Sequence, residues 1–171
     1  DPRFSKRPPL GNLRSITFPE RVMLQRVFDD RAVFSTSNQL LALELTTGVI
    51  TELFRAQGGF RATWAEAANC WLIVGERAGR EPPAQPAVLF DGDPIVLNIP
   101  PGFEPRSVSA DREWLGLMRW HDCTTRRGRF SEFVLWNRLT GVQAVARDGE
   151  RSFRFVAWHE RGVVLDVFEG I

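Results

Sequence analysis

The run from Arg119 to Phe130, RWHDCTTRRGRF, sets a histidine, an aspartate and a cysteine in a row among four arginines. Each type has a chemistry: imidazole as general base, thiol as nucleophile, carboxylate as the group that orients the base. Catalysis needs all three within hydrogen-bond reach of one another. Neighbours on an extended strand point to opposite sides, so His121 and Cys123 would share one side and Asp122 would take the other. Adjacency here is therefore no triad, and Cys123 reads as a surface thiol.

Metal and cofactor chemistry fares no better. Zinc asks for about four ligands, and the chain has two cysteines and two histidines at no recognised spacing. His159 falls in the turn WHERG, and DGD at 91–93 lacks the further oxygens of a calcium loop. Glycine-rich phosphate loops, nucleophile elbows and kinase signatures are absent from the sequence. No catalytic residue, metal ligand or cofactor is assigned.

The arginines remain, and their value depends on the elements that present them. The chain has 171 residues, 43% hydrophobic and 25% charged, which suits one globular domain with its own core. It contains no apolar run long enough to span a membrane as a helix and no signal-peptide pattern. It begins at Asp1, as a processed product or a piece of a longer chain would. Two cysteines in dissimilar contexts, Cys70 and Cys123, favour a reducing, cytoplasmic compartment. The net charge of +1 argues against nucleic acid as partner.

Helical periodicity is nearly missing. Short apolar or alternating runs bounded by Gly, Pro, Asp and Asn recur instead, and they predict strands over 22–28, 31–35, 39–45, 49–54, 60–64, 70–76, 87–91, 94–99, 106–110, 114–120, 130–137, 142–146, 152–159 and 163–168. WAEAANC alone hints at a helical turn.

These strands repeat. LALELTTGVIT (41–51) and VLWNRLTGVQA (134–144) are each strand, Thr-Gly turn and strand, and Gly48 and Gly141 stand 93 positions apart. VLFDGDPIVL (88–97) lies midway, giving a period of about 46, close to that of four-stranded propeller blades. A second element recurs upstream of each hairpin position: RATWAEAANCWLIV, RSVSADREWLGLM and RFVAWHERGVVLDV. In these segments the chain resembles the β-propeller repeat superfamily. LLALELTTG is similar to the quinoprotein-type repeat, and FVLWNRLTG to the end of a WD40 blade, with Glu44 and Asn137 where those families carry Asp.

The resemblance implies an all-β chain: a small or partial propeller forming one domain over 1–171, with blades at 22–54, 60–99, 106–146 and 152–168. A strand from 13–18 would complete the last blade. A β-sandwich is the structural alternative. A ring left incomplete would call for a second copy of the chain.

In such blades the second turn and the blade-to-blade connections emerge at one end. That end would carry Arg77 and Arg80 in one long loop, Arg126, Arg127 and Arg129 in the next, and Arg55, Arg106, Arg147 and Arg151 in the connections. Asp29, Asp30, Glu66, Asp91, Asp93, Asp111, Glu113 and Glu160 would gather at the other end. Long loops on a rigid scaffold are where binding concentrates, and arginine forks suit carboxylates. The six aromatic indoles read as packing between blades, with Trp120 closest to the arginines.

The expected function is a non-catalytic module that binds an acidic protein partner through Arg77, Arg80, Trp120, Arg126, Arg127 and Arg129, as an inhibitor, adaptor or toxin-neutralising protein does. The alternative is a small hydrolase or lyase that acts on an anionic substrate in the propeller funnel, using His121 and Asp122.

Overall fold

The computed structural model describes residues 17–18, 20–76, 86–125, 127–160 and 162–169. Fourteen strands run through them: β1 (Met23–Val27), β2 (Arg31–Ser35), β3 (Gln39–Glu44), β4 (Ile50–Arg55), β5 (Phe60–Ala65), β6 (Cys70–Gly75), β7 (Val88–Phe90), β8 (Pro94–Val96), β9 (Glu104–Val108), β10 (Trp114–Asp122), β11 (Arg129–Asn137), β12 (Gln143–Ala146), β13 (Arg151–His159) and β14 (Gly162–Glu169). The protein is all-β, with no helix among the described residues. WAEAANC forms a tight turn closed by Ala68 N donating to Ala65 O, with Asn69 at φ 47°.

Each strand pairs with its chain neighbour, so the pairing groups them in order. β1 to β4, β5 to β8 and β9 to β12 make three four-stranded antiparallel sheets, and β13 with β14 a two-stranded one. None of the four closes on itself. The two prolines that fall in strands among the described residues, Pro94 in β8 and Pro105 in β9, both lie on edge strands, where a missing N–H is tolerated.

The two Thr-Gly turns share one construction. Gly48 N donates to Glu44 O at 2.8 Å and Gly141 N to Asn137 O at 2.9 Å, with φ of 78° and 73°. Thr47 Oγ1 accepts from Val49 N, and Thr140 Oγ1 from Val142 N. Glu44 accepts the Thr47 hydroxyl, whereas Asn137 Oδ1 accepts the amides of Leu139 and Thr140. Positive φ is costly for any side chain with a Cβ, which explains the glycine.

Consecutive sheets pack face against face. On β6, Trp71 and Ile73 join a core with Val33, Leu40 and Ala42 of the first sheet. Cys70 and Leu72 face the opposite way, into a core with Leu115, Leu117 and Val134 of the third. That two-sided burial is why CWLIV reads as an unbroken apolar run. The third sheet meets the terminal hairpin through Phe133, which stacks on Phe155 with ring centroids 6.3 Å apart. Ser131 Oγ and Phe153 exchange hydrogen bonds across the same seam, donating to Phe153 O and accepting from Phe153 N.

The turns sort into two ends. At one, Ala56 N donates to Asn38 O and the Thr124 and Thr125 amides to Glu150. At the other, Leu45 N donates to Asp30 O and Arg138 N to Glu113 O. Arginines tie sheet to sheet at this second end. Arg26 reaches Glu66 at 2.8 Å, and Arg112 binds both Asp91 at 2.5 Å and Ala68 O at 3.1 Å.

Candidate functional site: the tip of the β10–β11 hairpin

β10 and β11 are nine residues each, and their pairing runs without a break from Trp114↔Asn137 to Asp122↔Arg129. His121 and Asp122, which polarity alone assigns to a loop, are strand residues. The turn proper is 123–128, closed by Cys123 N donating to Gly128 O at 3.0 Å.

Glu150, from the connection between β12 and β13, braces this turn. Its carboxylate accepts the Thr124 amide and hydroxyl, each at 2.5 Å, and the Thr125 amide at 3.2 Å, together with the Thr125 hydroxyl. Donation from the Thr124 hydroxyl, the Thr125 hydroxyl and the Thr124 amide lowers the Glu150 carboxyl from 4.5 to about 2. A depressed carboxylate pKa contributes stability that is complete above the ordinary value and is lost as pH falls through the folded one. The Thr124 and Thr125 amide resonances should therefore titrate with an inflection near pH 2. Glu150→Gln at neutral pH should speed tryptic cleavage after Arg127 several-fold, and an unchanged rate would show that the brace does not hold the turn.

The hairpin separates the chemistry of RWHDC onto two faces. On one, the Arg129 guanidinium lies 5.8 Å from the Trp120 ring centroid and 3.5 Å from Asp122. Trp120 is half-buried and lines a shallow cleft of about 320 Å³ with Met118, Phe153, Arg154 and Phe168. On the other face, His121 stacks on Phe130 at 5.0 Å, and its Nε2 stands 3.2 Å from Glu132 Oε2 without the alignment of a hydrogen bond. Arg119 binds the other Glu132 oxygen at 2.5 Å. The carboxylate facing His121 is thus Glu132 and not Asp122.

Of the residues singled out in the sequence, Trp120 and Arg129 come together, and Arg127 is exposed in the turn beside them. Arg77, Arg80 and Arg126 lie outside the described residues. Three of the other arginines expected at this end have acidic partners close in sequence. Arg55 pairs with Glu52, Arg106 with Glu104, and Arg151 with Asp148. At the opposite end Arg26 and Arg112 answer Glu66 and Asp91.

Glu132 escapes a motif-based reading, although the sequence carries its signal. It shares the phase of Phe130 and Val134, so a carboxylate falls on the buried face of a strand, where a partner is required. Both cysteines are free, and burial pushes the Cys70 thiol up, away from reactivity. Among the described residues, no three His, Cys, Asp or Glu side chains are placed to hold a metal ion, and no helix is long and apolar enough to cross a membrane. Comparison of the chain with protein-family models, curated proteins and solved structures finds no match, so its own geometry has to carry the functional reading.

Proposed function

We propose that this chain is a non-catalytic protein-binding module, a small propeller-like ring of blades that holds an acidic protein partner at the tip of the β10–β11 hairpin. The observation that carries this reading is the Arg129–Trp120 pair, centred 5.8 Å apart on a strand pair whose turn Glu150 braces. Arginine and tryptophan held in place before contact lose little freedom on binding, and these two types are enriched among residues that dominate interfaces. Asp122 is a weak competitor for Arg129, since its side chain is 91% exposed. Arg127 belongs to the same surface, joined by Arg77, Arg80 and Arg126 on the strength of the sequence. An inhibitor, adaptor or toxin-neutralising role suits such a platform.

The ring reading draws support from three sheets of identical strand order and from the shared turn construction. It is also favoured by a cavity where β5, β9 and β13, the opening strands of successive sheets, converge. Of the strand expected over 13–18, residues 13–16 lie outside the described residues. Phe18, at the end of that segment, packs on Phe34 with ring centroids 5.2 Å apart.

Charge reversal tests the interface. Arg127→Glu with Arg129→Glu should weaken capture of the native partner by roughly a hundredfold, about tenfold for each arginine. His121→Ala, on the other face of the hairpin, should leave affinity unchanged. Equal capture by the double variant, or a turnover that vanishes with His121, would overturn the proposal.

A further inference from the structure

Among the described residues, two of the seams between consecutive sheets close on apolar cores and the third closes only in part. The first and second sheets meet over Val33, Leu40, Trp71 and Ile73, and the second and third over Leu72, Leu115, Leu117 and Val134, all of them buried. Between the third sheet and the terminal hairpin, Ser131, Phe133, Ser152 and Phe153 are buried. Beside them the seam opens as the cleft of about 320 Å³ at Trp120. Met118, Trp120, Phe155 and Phe168 line it, and each is only half-buried.

The strand period accounts for this arrangement. Leu115 and Leu117 point to the second sheet, so Met118 and Trp120 turn to the other side of β10. There they lie beside Phe133 and Ser131 of β11, which reach β13 through the Phe133–Phe155 stack and the Ser131–Phe153 hydrogen bonds. Large apolar side chains left partly in water around one opening are stabilised by anything apolar that displaces that water. The volume is at the lower limit for small-molecule sites, room for one large side chain and little more.

Charge around the opening has one sign. Among the described residues Arg106 and Arg154 are the charged members of the lining, and their acids, Glu104 and Asp166, lie outside it. Arg129 stands over the ring of Trp120, which is itself a wall of the cleft. An entering group meets guanidinium groups and no carboxylate, so acids beside it are favoured and ammonium groups are not.

We infer that the cleft receives one bulky apolar side chain of the protein partner, carried next to the acidic residue that Arg129 holds. The inference rests on the proposed binding at the hairpin tip and adds what the partner has to present there: a large apolar residue flanked by acids. Buried anchors ringed by polar contacts dominate many interfaces.

The probes are three nonapeptides with fluorescein at the N-terminus and an amide at the C-terminus. One alternates glutamate and aspartate around a central phenylalanine, the second has alanine at the centre, and the third keeps the phenylalanine among glutamine and asparagine. Anisotropy titration should find the acidic phenylalanine peptide about tenfold tighter than either of the others. Met118→Trp, which fills the cleft, and Phe168→Ala, which removes one wall, should each bring the ratio of phenylalanine to alanine affinity close to one, with the circular dichroism spectrum retained. Arg127→Glu with Arg129→Glu should weaken both acidic peptides alike. Equal affinity for phenylalanine and alanine, a ratio that survives both cleft variants, an uncharged peptide that binds as tightly as the acidic one, or no binding by any peptide overturns the inference. If it falls while charge reversal still weakens the acidic peptides, the hairpin-tip reading stands; indifference of those peptides to charge reversal removes that reading instead.

Discussion

Gly116→Ala is expected to destabilise the protein by about 3 kcal/mol, the upper part of the range for overpacking a well-filled interior. A Cβ at this position would overlap Ser107 Oγ and stand 2.5 Å from Phe133 Cζ. Neither neighbour can step aside. Ser107 is paired with Gly116 across the β9–β10 ladder at an irregularity in register, and Phe133 is 1% exposed and stacked on Phe155. The glycine is required by close approach and not by an unusual backbone angle. Phe133→Leu, which deletes the offending ring atoms, should restore at least half the loss in the Gly116→Ala background, although alone it removes packing and costs about 1–2 kcal/mol. Urea unfolding of the two single variants and the double would measure this coupling. Strict additivity would mean that the methyl is accommodated by some other movement.

Arg119→Ala should cost about as much, for an electrostatic reason. Its partner Glu132 has a side chain only 4% exposed, whereas Arg119 is 42% exposed. Deleting the arginine strands a buried carboxylate, with the His121 ring nitrogen 3.2 Å away and not aligned to hydrogen-bond it. Uncompensated buried charge is among the most destabilising changes known, about 3 kcal/mol or more. Deleting the carboxylate instead leaves an arginine that water can reach, so Glu132→Gln should cost only about 1 kcal/mol. The ordering is the test. If chemical denaturation finds Glu132→Gln the more damaging, the pair is not held by the burial of Glu132. Replacing both with apolar residues, Arg119→Met with Glu132→Leu, should be milder than Arg119→Ala alone.

The strands were legible because alternation and turn residues are local signals. Arg31–Ser35 matches its expected limits, and most others shift by one or two positions. The larger differences share a cause in long-range pairing. β9 begins at Glu104, before the expected 106, because Pro105 is tolerated on an edge strand. β8 stops at Val96, short of the expected 99. β10 runs through His121 and Asp122 because each gains a cross-strand neighbour in Phe130 and Arg129, and no window of sequence shows a partner across a turn.

The proposed surface was legible in part. Arg129 and Trp120 were identifiable by residue type, but their proximity follows from register. Glu132 and Glu150 were overlooked for different reasons. The first sits in the buried phase of a strand. The second is remote in sequence from the turn it braces, being 26 positions from Thr124.

The two-sided burial of β6 also bears on how damage would spread. Stability in stacked arrays is close to a sum of unit terms and nearest-neighbour interfaces. The second sheet is party to two such interfaces, through Trp71 and Ile73 on one side and Cys70 and Leu72 on the other. A lesion in the terminal hairpin frays the seam it makes with the third sheet through Phe133 and Phe155. A lesion in β6 loosens the sheets on both sides, and Arg26 and Arg112, which reach into its turns, then lose their anchors. Amide exchange should accordingly be slowest in β6, making this strand the last part of the protein to let go.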